Sequence, residues 1–168
     1  MPKIIENLQS RLIEEAKRQI ESSGYSAVTI RSVATACGVG VGTVYNYFPS
    51  KDALLATYML EDWKKCVDEI NRVAEQSMIP EPVLRCMYQQ LLCYASQHEM
   101  IFRDEGAAAN FAGAFSQYHG LLRRQLTMPL EKFCGDLFAA EFIAEAMLTW
   151  TMAGKEFDVI FGMIGKLF

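Results

Sequence analysis

A run of hydroxyl, phenol and amide side chains has the most distinctive chemistry in this 168-residue sequence. Thr43, Tyr45, Asn46 and Tyr47 follow one another closely, and residues 32–50 carry no formal charge. Hydroxyl and phenol groups bond phosphate oxygens, and an amide can read the edge of a base in the major groove. These residues predict hydrogen bonding to duplex DNA through a helix face that phosphates do not repel.

Other arrangements of reactive side chains are weak. His98 and His119 form no ligand pair with a nearby cysteine, and Cys86 and Cys93 lie about two helical turns apart, too far for a direct metal clip. The sequence has no Ser-His-Asp order, glycine-rich phosphate loop or catalytic pair of carboxylates. We therefore expect no metal, no cofactor and no enzymatic activity.

The elements around the polar run form a predicted helix-turn-helix. Thr29 can cap a helix whose apolar stripe begins at Ile30 and recurs with helical spacing. Gly38 ends that helix, because glycine enters the left-handed conformation at little cost. A second helix begins near Val41 and continues until Pro49 stops it. Two short helices joined by a tight turn make a helix-turn-helix.

Flanking helices complete the predicted architecture. Residues 4–23 form one amphipathic helix, which would buttress the helix-turn-helix in a three-helix, homeodomain-like head. Ser50 can cap a helix from about Lys51 to Gln76, long enough to join the head to the rest of the chain. We expect an all-α fold of about nine helices, with a DNA-binding domain over residues 1–50 and a helical body over residues 51–168.

The C-terminal part is too apolar for one small domain to cover. Between residues 137 and 153 only Glu141, Glu145 and two threonines interrupt the apolar side chains. A helix that is apolar nearly all round must be covered on several sides, and a second copy can supply that cover in an antiparallel four-helix interface. The residues expected at this homodimer interface are Phe138, Phe142, Met147, Trp150, Phe157, Ile160, Phe161 and Ile164.

Charge and composition agree with this division. Residues 1–51 hold six Lys or Arg against four Asp or Glu, giving +2, and residues 52–168 hold ten against sixteen, giving −6, which together make the net charge of −4. The positive end coincides with the helix-turn-helix, as expected of a DNA-facing end. An apolar fraction of 51% predicts a folded chain.

Three features favour a cytoplasmic location without membrane association. The N-terminus carries Glu6, Glu14 and Glu15 and lacks the unbroken apolar run of a signal peptide. No apolar stretch of about 18 residues, the length that spans a bilayer, is present. The five scattered cysteines, without a secretion signal, indicate reduced thiols.

The N-terminal motifs resemble those of the tetracycline-repressor (TetR) family of bacterial regulators. The resemblance rests on Gly38-Val39, on the run Gly42-Thr43-Val44-Tyr45-Asn46-Tyr47-Phe48-Pro49-Ser50-Lys51 and on Ala53-Leu54-Leu55. It covers about the first sixty residues, including the helix end at Gly24-Tyr25, and several fixed spacings coincide. The sequence departs from the family at Gly40, where relatives commonly have a helix-capping serine, and is short for the family.

The resemblance implies a homodimeric transcriptional regulator, usually a repressor, that binds double-stranded operator DNA. Tyr47, Lys51 and Thr43 match family positions that commonly bond phosphate, and Asn46 and Val41 are candidates for base contacts. The expected DNA-contacting residues are Thr29, Arg31, Val41, Gly42, Thr43, Tyr45, Asn46, Tyr47 and Lys51.

Two of these residues have alternative interpretations. Arg31 could reach a phosphate or a guanine edge, or it could be a solvated charge. Tyr45 could contact DNA or lie half-buried against Arg31 or the first helix. These alternatives stay open at the level of sequence.

The family generally binds a small-molecule effector between the helices of its body. Aromatic and sulfur-containing residues here could line such a pocket or simply form the core. The candidate lining residues are Tyr58, Trp63, Cys66, Met87, Tyr88, Leu91, Phe102, Phe111, Phe115 and Tyr118. A body that binds another protein, or a thiol sensor with an exposed low-pKa cysteine, are the alternatives. The sequence identifies neither the effector nor the operator, and it does not distinguish a repressor from an activator.

Overall fold

The computed structural model describes residues 7–107 and 120–168, which form helices and no strand, so the all-α prediction is confirmed for this part of the chain. The helices are α1 (Leu8–Ser23), α2 (Ile30–Cys37), α3 (Val41–Tyr47), α4 (Lys51–Gln76), α5 (Pro80–Gln97), α6 (Glu99–Phe102), α7 (residues 120–127), α8 (Leu137–Met152) and α9 (Phe157–Ile164). Short 3-10 turns occupy Tyr25–Ala27, Met128–Phe133 and Gly165–Leu167.

By their contacts, the described residues fall into two compact units. The first comprises residues 7–61 and 98–107, and the second comprises residues 62–97 and 120–168. Helix α4 is continuous across residues 61 and 62 and has the bounds that the sequence predicts. The functional boundary expected at residue 50 is a separate matter and stays a prediction.

The first unit contains the helix-turn-helix. Helix α1 buries its predicted stripe, including Leu12, Ala16 and Ile20, and packs against α2. The connection to α2 starts at Gly24, whose φ of 81° favours glycine. Helix α2 ends at Gly38 in the left-handed conformation and packs against α3, as the motif requires.

Helix α4 begins with the predicted cap. The backbone amide of Ala53 donates to Ser50 Oγ at 3.0 Å, and Asp52 lies in the first turn, where its charge favours the helix dipole. Leu54 and Leu55 are fully buried in the first unit, whereas Ile70 is buried in the second. The same helix therefore contributes core residues to each unit.

The second unit is organised around α5 and α8. Helix α5 packs against α8 and α9, and α8 packs against α9. Asp136 caps α8, since its carboxylate accepts from the backbone amide of Ala139 at 2.8 Å. None of the described helices combines the length and the apolar character that crossing a bilayer requires.

Candidate nucleic-acid interface

Helix α3 separates a buried side from an exposed polar side. Val44 and Phe48 are buried in the first unit, and Asn46 is exposed. Tyr45 and Tyr47 have 52% and 42% of their surface exposed. The predicted polar run is thus accessible at three consecutive positions.

The start of α3 is shaped by glycine. Gly40 is the N-cap residue and has no side chain with which to cap the helix, while Gly42 is exposed and Val41 and Thr43 are half-buried. A Cβ built on Gly40 would approach no closer than 3.7 Å to Thr43 Oγ1, which is an ordinary contact. The space around this position therefore accepts the serine that relatives commonly have.

Thr29 caps α2, as predicted from sequence. Its hydroxyl accepts from the amide of Ser32 at 3.0 Å, and the hydroxyl of Ser32 accepts from the amide of Thr29 at the same distance, which completes a capping box. Ser32 also donates to Gln19 Oε1 at 2.6 Å, so the cap is fixed to α1. Arg31, in the first turn of α2, is exposed.

Lys51 is held by the turn that connects α1 to α2. Its ammonium donates to the Tyr25 carbonyl oxygen at 3.1 Å and lies 3.7 Å from the centre of the Tyr25 ring. The phenol of Tyr25 donates to Asp52 Oδ1 at 2.6 Å, and the Lys51 residue is half-buried. An ammonium has three donors, so the bond to the Tyr25 carbonyl oxygen and the contact with the Tyr25 ring leave room for one further acceptor.

Arg11 is a further cation beside the motif, and it is not among the DNA-contacting residues predicted from sequence. Its guanidinium donates to the carbonyl oxygen of Cys37, the last residue of α2, at 3.2 Å. A cation at the C-terminus of a helix is favoured by the helix dipole. Because Arg11 and Cys37 are 26 residues apart, no local spacing in the sequence announces this contact.

The predicted effector-pocket residues are distributed over both units. Tyr58 and Phe102 belong to the first unit, where each ring contacts the buried His98, at centroid distances of 4.6 and 6.3 Å. Phe111, Phe115 and Tyr118 lie outside the described residues. The remaining members are in the second unit: Trp63, Cys66, Met87, Tyr88 and Leu91.

The second-unit members make close packing contacts. The indole of Trp63 donates to Gln125 Oε1 at 2.8 Å and meets the Tyr94 ring edge-on, and Met87 and Leu91 are buried. Burial raises the pKa of the Cys66 thiol to about 11. No group of three or more His, Cys, Asp or Glu in the described part of the chain is arranged to hold a metal ion.

The predicted interface residues of α8 and α9 divide into two sets. Met147, Phe157, Ile160 and Ile164 are buried within the second unit, whereas Phe161 is half-buried. Phe138, Phe142 and Trp150 are exposed. An apolar groove of about 430 Å³ lies between α8 and α9, and its lining residues are Phe142, Ala146, Trp150, Lys155, Val159, Ile160, Met163, Ile164 and Leu167.

Comparison with known proteins finds a family match in the N-terminal part of the chain. Residues 12–58 match the family described as bacterial regulatory proteins, tetR family. The HTH-type transcriptional repressor KstR of Rhodococcus jostii is 30% identical over 109 residues, which cover 60% of this chain and 51% of that protein. The chain thus spans about half the length of the curated relatives it matches.

Solved structures share the fold over nearly the whole chain. The protein SCO7518 of Streptomyces coelicolor superposes with a TM-score of 0.73 at 14% identity, covering 96% of this chain and 98% of that one. AlkX of Dietzia, a TetR family repressor, gives a TM-score of 0.65 at 18% identity, with coverages of 94% and 97%. Identities this low support the fold alone.

Proposed function

We propose that this chain is a transcriptional repressor of the TetR family of bacterial regulatory proteins and that it binds operator DNA through α3. The observation that carries the proposal is the exposed polar side of α3, with Tyr45, Asn46 and Tyr47 accessible while Val44 and Phe48 anchor the helix. An anchored helix with an uncharged polar surface suits insertion into the major groove.

Several polar groups on and beside α3 have a proposed partner on the duplex. The amide of Asn46 suits a base edge, and the phenol of Tyr47 and the hydroxyl of Thr43 suit phosphate oxygens. Arg31 and Lys51 add positive charge on either side of α3 in sequence, and the Lys51 ammonium has a donor that suits a phosphate. Thr29, Val41 and Gly42 complete the proposed contact surface.

The test starts from a duplex enriched from a randomised library by the wild-type chain. Tyr47→Ala and Lys51→Ala should each weaken binding to that duplex, measured by fluorescence anisotropy. Lys51→Ala should also lower the slope of log K against log salt by about 0.9, the contribution of one phosphate contact. The control is Lys64→Ala, which removes an exposed lysine from the second unit. If Tyr47→Ala and Lys51→Ala both leave the affinity and the salt slope unchanged, the proposed DNA-binding surface is wrong.

We further propose that two copies pair through α8 and α9. The exposed rings of Phe138, Phe142 and Trp150 and the apolar groove between these helices support this proposal, because water would otherwise contact them. A twofold dimer carries two heads, so the operator should contain inverted half-sites about 34–36 Å apart or a multiple of this distance. Inverted repeats in the enriched duplexes would support the pairing, and single half-sites would oppose it.

Release by a small effector is the third part of the proposal. An effector that fits only an arrangement in which the heads are splayed must lower DNA affinity, by the same factor by which DNA lowers effector affinity. The support is the resemblance to a family that generally binds a small effector, together with the aromatic and sulfur-containing residues within the second unit, such as Trp63, Cys66 and Met87. A compound library can be screened by thermal shift, and hits then tested on the protein–DNA complex. If compounds that stabilise the protein leave its DNA affinity unchanged, the proposal of release by an effector is wrong.

A further inference from the structure

A polar cluster in the first unit connects three separate segments of the chain. Its members are Tyr25 and Ser26 in the turn between α1 and α2, Lys51 and Asp52 at the start of α4, and Asp104 after α6. All five residues belong to the same compact unit. The first two segments flank the helix-turn-helix, whereas Asp104 is more than fifty residues away from them in sequence.

Asp104 is bound on both carboxylate oxygens. Oδ2 accepts from the hydroxyl of Ser26 at 2.8 Å, and Oδ1 accepts from the backbone amides of Gly106 at 2.9 Å and Ala107 at 3.1 Å. The bond from Ser26, then that from Ala107, holds the pKa of Asp104 below its ordinary value, and the charge of Lys51 contributes to the same effect. The carboxylate is therefore ionised at neutral pH and joins the turn to the helical residues that begin at 105.

The same turn holds Lys51. Ser26 follows Tyr25 directly, and Tyr25 offers both its carbonyl oxygen and its ring to the Lys51 ammonium. Gly106 lies against the edge of the Tyr25 ring, since a Cβ on this glycine would come within 3.9 Å of Tyr25 Cε1 and 3.1 Å of Asp104 Oδ1. Movement of the turn would carry with it the groups that fix the position of the ammonium.

We infer that Asp104 is a positioning residue for DNA binding, which acts through Ser26 and Tyr25 to hold the Lys51 ammonium where a phosphate can meet it. This inference rests on the proposed function, because it assumes that Lys51 contacts operator DNA. Asp104 itself does not touch DNA in this scheme. Its negative charge would repel DNA, so a loss of affinity on its removal cannot come from simple electrostatics.

The experiment compares Asp104→Ala, Lys51→Ala and the double variant on a duplex enriched by the wild-type chain. Asp104→Ala, which removes one hydrogen-bonded anchor, should weaken binding to the duplex about three- to tenfold. Asp104→Ala should also lower the salt slope by up to about 0.9, because the phosphate contact of Lys51 is lost or loosened. In the double variant, Asp104→Ala should add less than about twofold to the effect of Lys51→Ala, since positioning matters only while the ammonium is present.

Three further variants separate the effect of positioning Lys51 from the effects of charge and of misfolding. Asp104→Asn keeps an acceptor for the two backbone amides and a donor for Ser26, so it should bind DNA at least as tightly as the wild type. Ser26→Ala removes the link at an exposed position and should reproduce the loss in weaker form, even if Asp104→Ala does not fold. Glu105→Ala, which removes the next and exposed carboxylate, should leave affinity equal or slightly higher.

The outcomes distinguish this inference from the function on which it rests. If the wild-type chain enriches no duplex, the proposed function falls and the inference with it. If the wild type binds but Asp104→Ala and Ser26→Ala bind equally well, the inference alone is wrong. If the affinity losses of the two single variants multiply in the double variant, and the salt slope of Asp104→Ala is unchanged, then Asp104 has a role in stability alone.

Discussion

Replacing Trp150 with alanine gives a quantitative test of the proposed dimer. The indole lines the groove between α8 and α9, and 49% of the residue surface is exposed in one protomer. If a second copy covers this groove, the exposed part of the indole is buried on association. If the dimer uses another surface, the substitution leaves association unchanged.

The expected loss of association free energy follows from the indole surface area that the dimer would bury. A tryptophan buries at most about 250 Å², so its exposed half corresponds to about 120 Å², or about 3 kcal/mol at about 25 cal/mol per Å². Alanine retains part of this contact, which leaves a loss of about 2 kcal/mol per copy. Twofold symmetry applies the loss to both copies, so the dimer should weaken by about 4 kcal/mol, or about a thousandfold in Kd.

Sedimentation equilibrium over a dilution series measures this Kd directly. Met163→Glu is a second variant, because Met163 lines the same groove with 72% of its surface exposed and a carboxylate there should oppose association without disturbing the monomer. Ile79→Ala is the control, since Ile79 is 58% exposed but lies between α4 and α5. A dimer Kd unchanged from that of the wild type in both groove variants would refute the proposed interface.

Three further predictions concern single contacts. Asp136→Ala should lower the free energy of unfolding by about 1 kcal/mol in urea denaturation, because it removes the cap of α8, and Asp136→Ser should recover most of that loss. Tyr25→Phe should cost about 1–2 kcal/mol, since it removes a bond to the Asp52 carboxylate, whereas Tyr45→Phe at an exposed position should change the unfolding free energy by less than about 0.5 kcal/mol. A thiol reagent at pH 8 should label the exposed Cys93 early and Cys66 last, because a pKa of about 11 leaves roughly one Cys66 thiol in a thousand ionised. If Cys93→Ser lacks the early phase of labelling, as followed by mass spectrometry, that phase comes from Cys93. Early labelling of Cys66 would contradict the burial of its thiol.

The helix pattern was readable from sequence wherever polar residues mark one side of a helix. In α1 the polar positions leave a single apolar stripe, and Leu12, Ala16 and Ile20 on that stripe are buried. Helix ends were equally readable, because Thr29 and Ser50 supply caps and Gly38 adopts the left-handed conformation. These signals are local, so they need no knowledge of the tertiary fold.

Helix α8 shows why its sequence alone does not separate buried residues from exposed ones. Apolar side chains surround nearly the whole helix, so no polar positions mark which side faces the protomer. Met147 is buried and Phe142 and Trp150 are exposed, although all three were equivalent candidates for the dimer interface. Packing against α5 and α9 decides the orientation of α8, and that information is absent from its own sequence.

Long-range polar contacts were beyond the sequence for a related reason. The family match ends at residue 58, and the domain boundary predicted from sequence assigns residues 98–107 to the body. Yet Ile101 and Ala107 are buried within the same unit as the helix-turn-helix, and Asp104 bonds Ser26 across 78 positions. A fragment cut at the end of the motif would lose these contacts while keeping every residue of α2 and α3. The compact unit that carries α3 is therefore larger than the motif that identifies it, and the turn that holds Lys51 is bonded to a segment the motif does not contain.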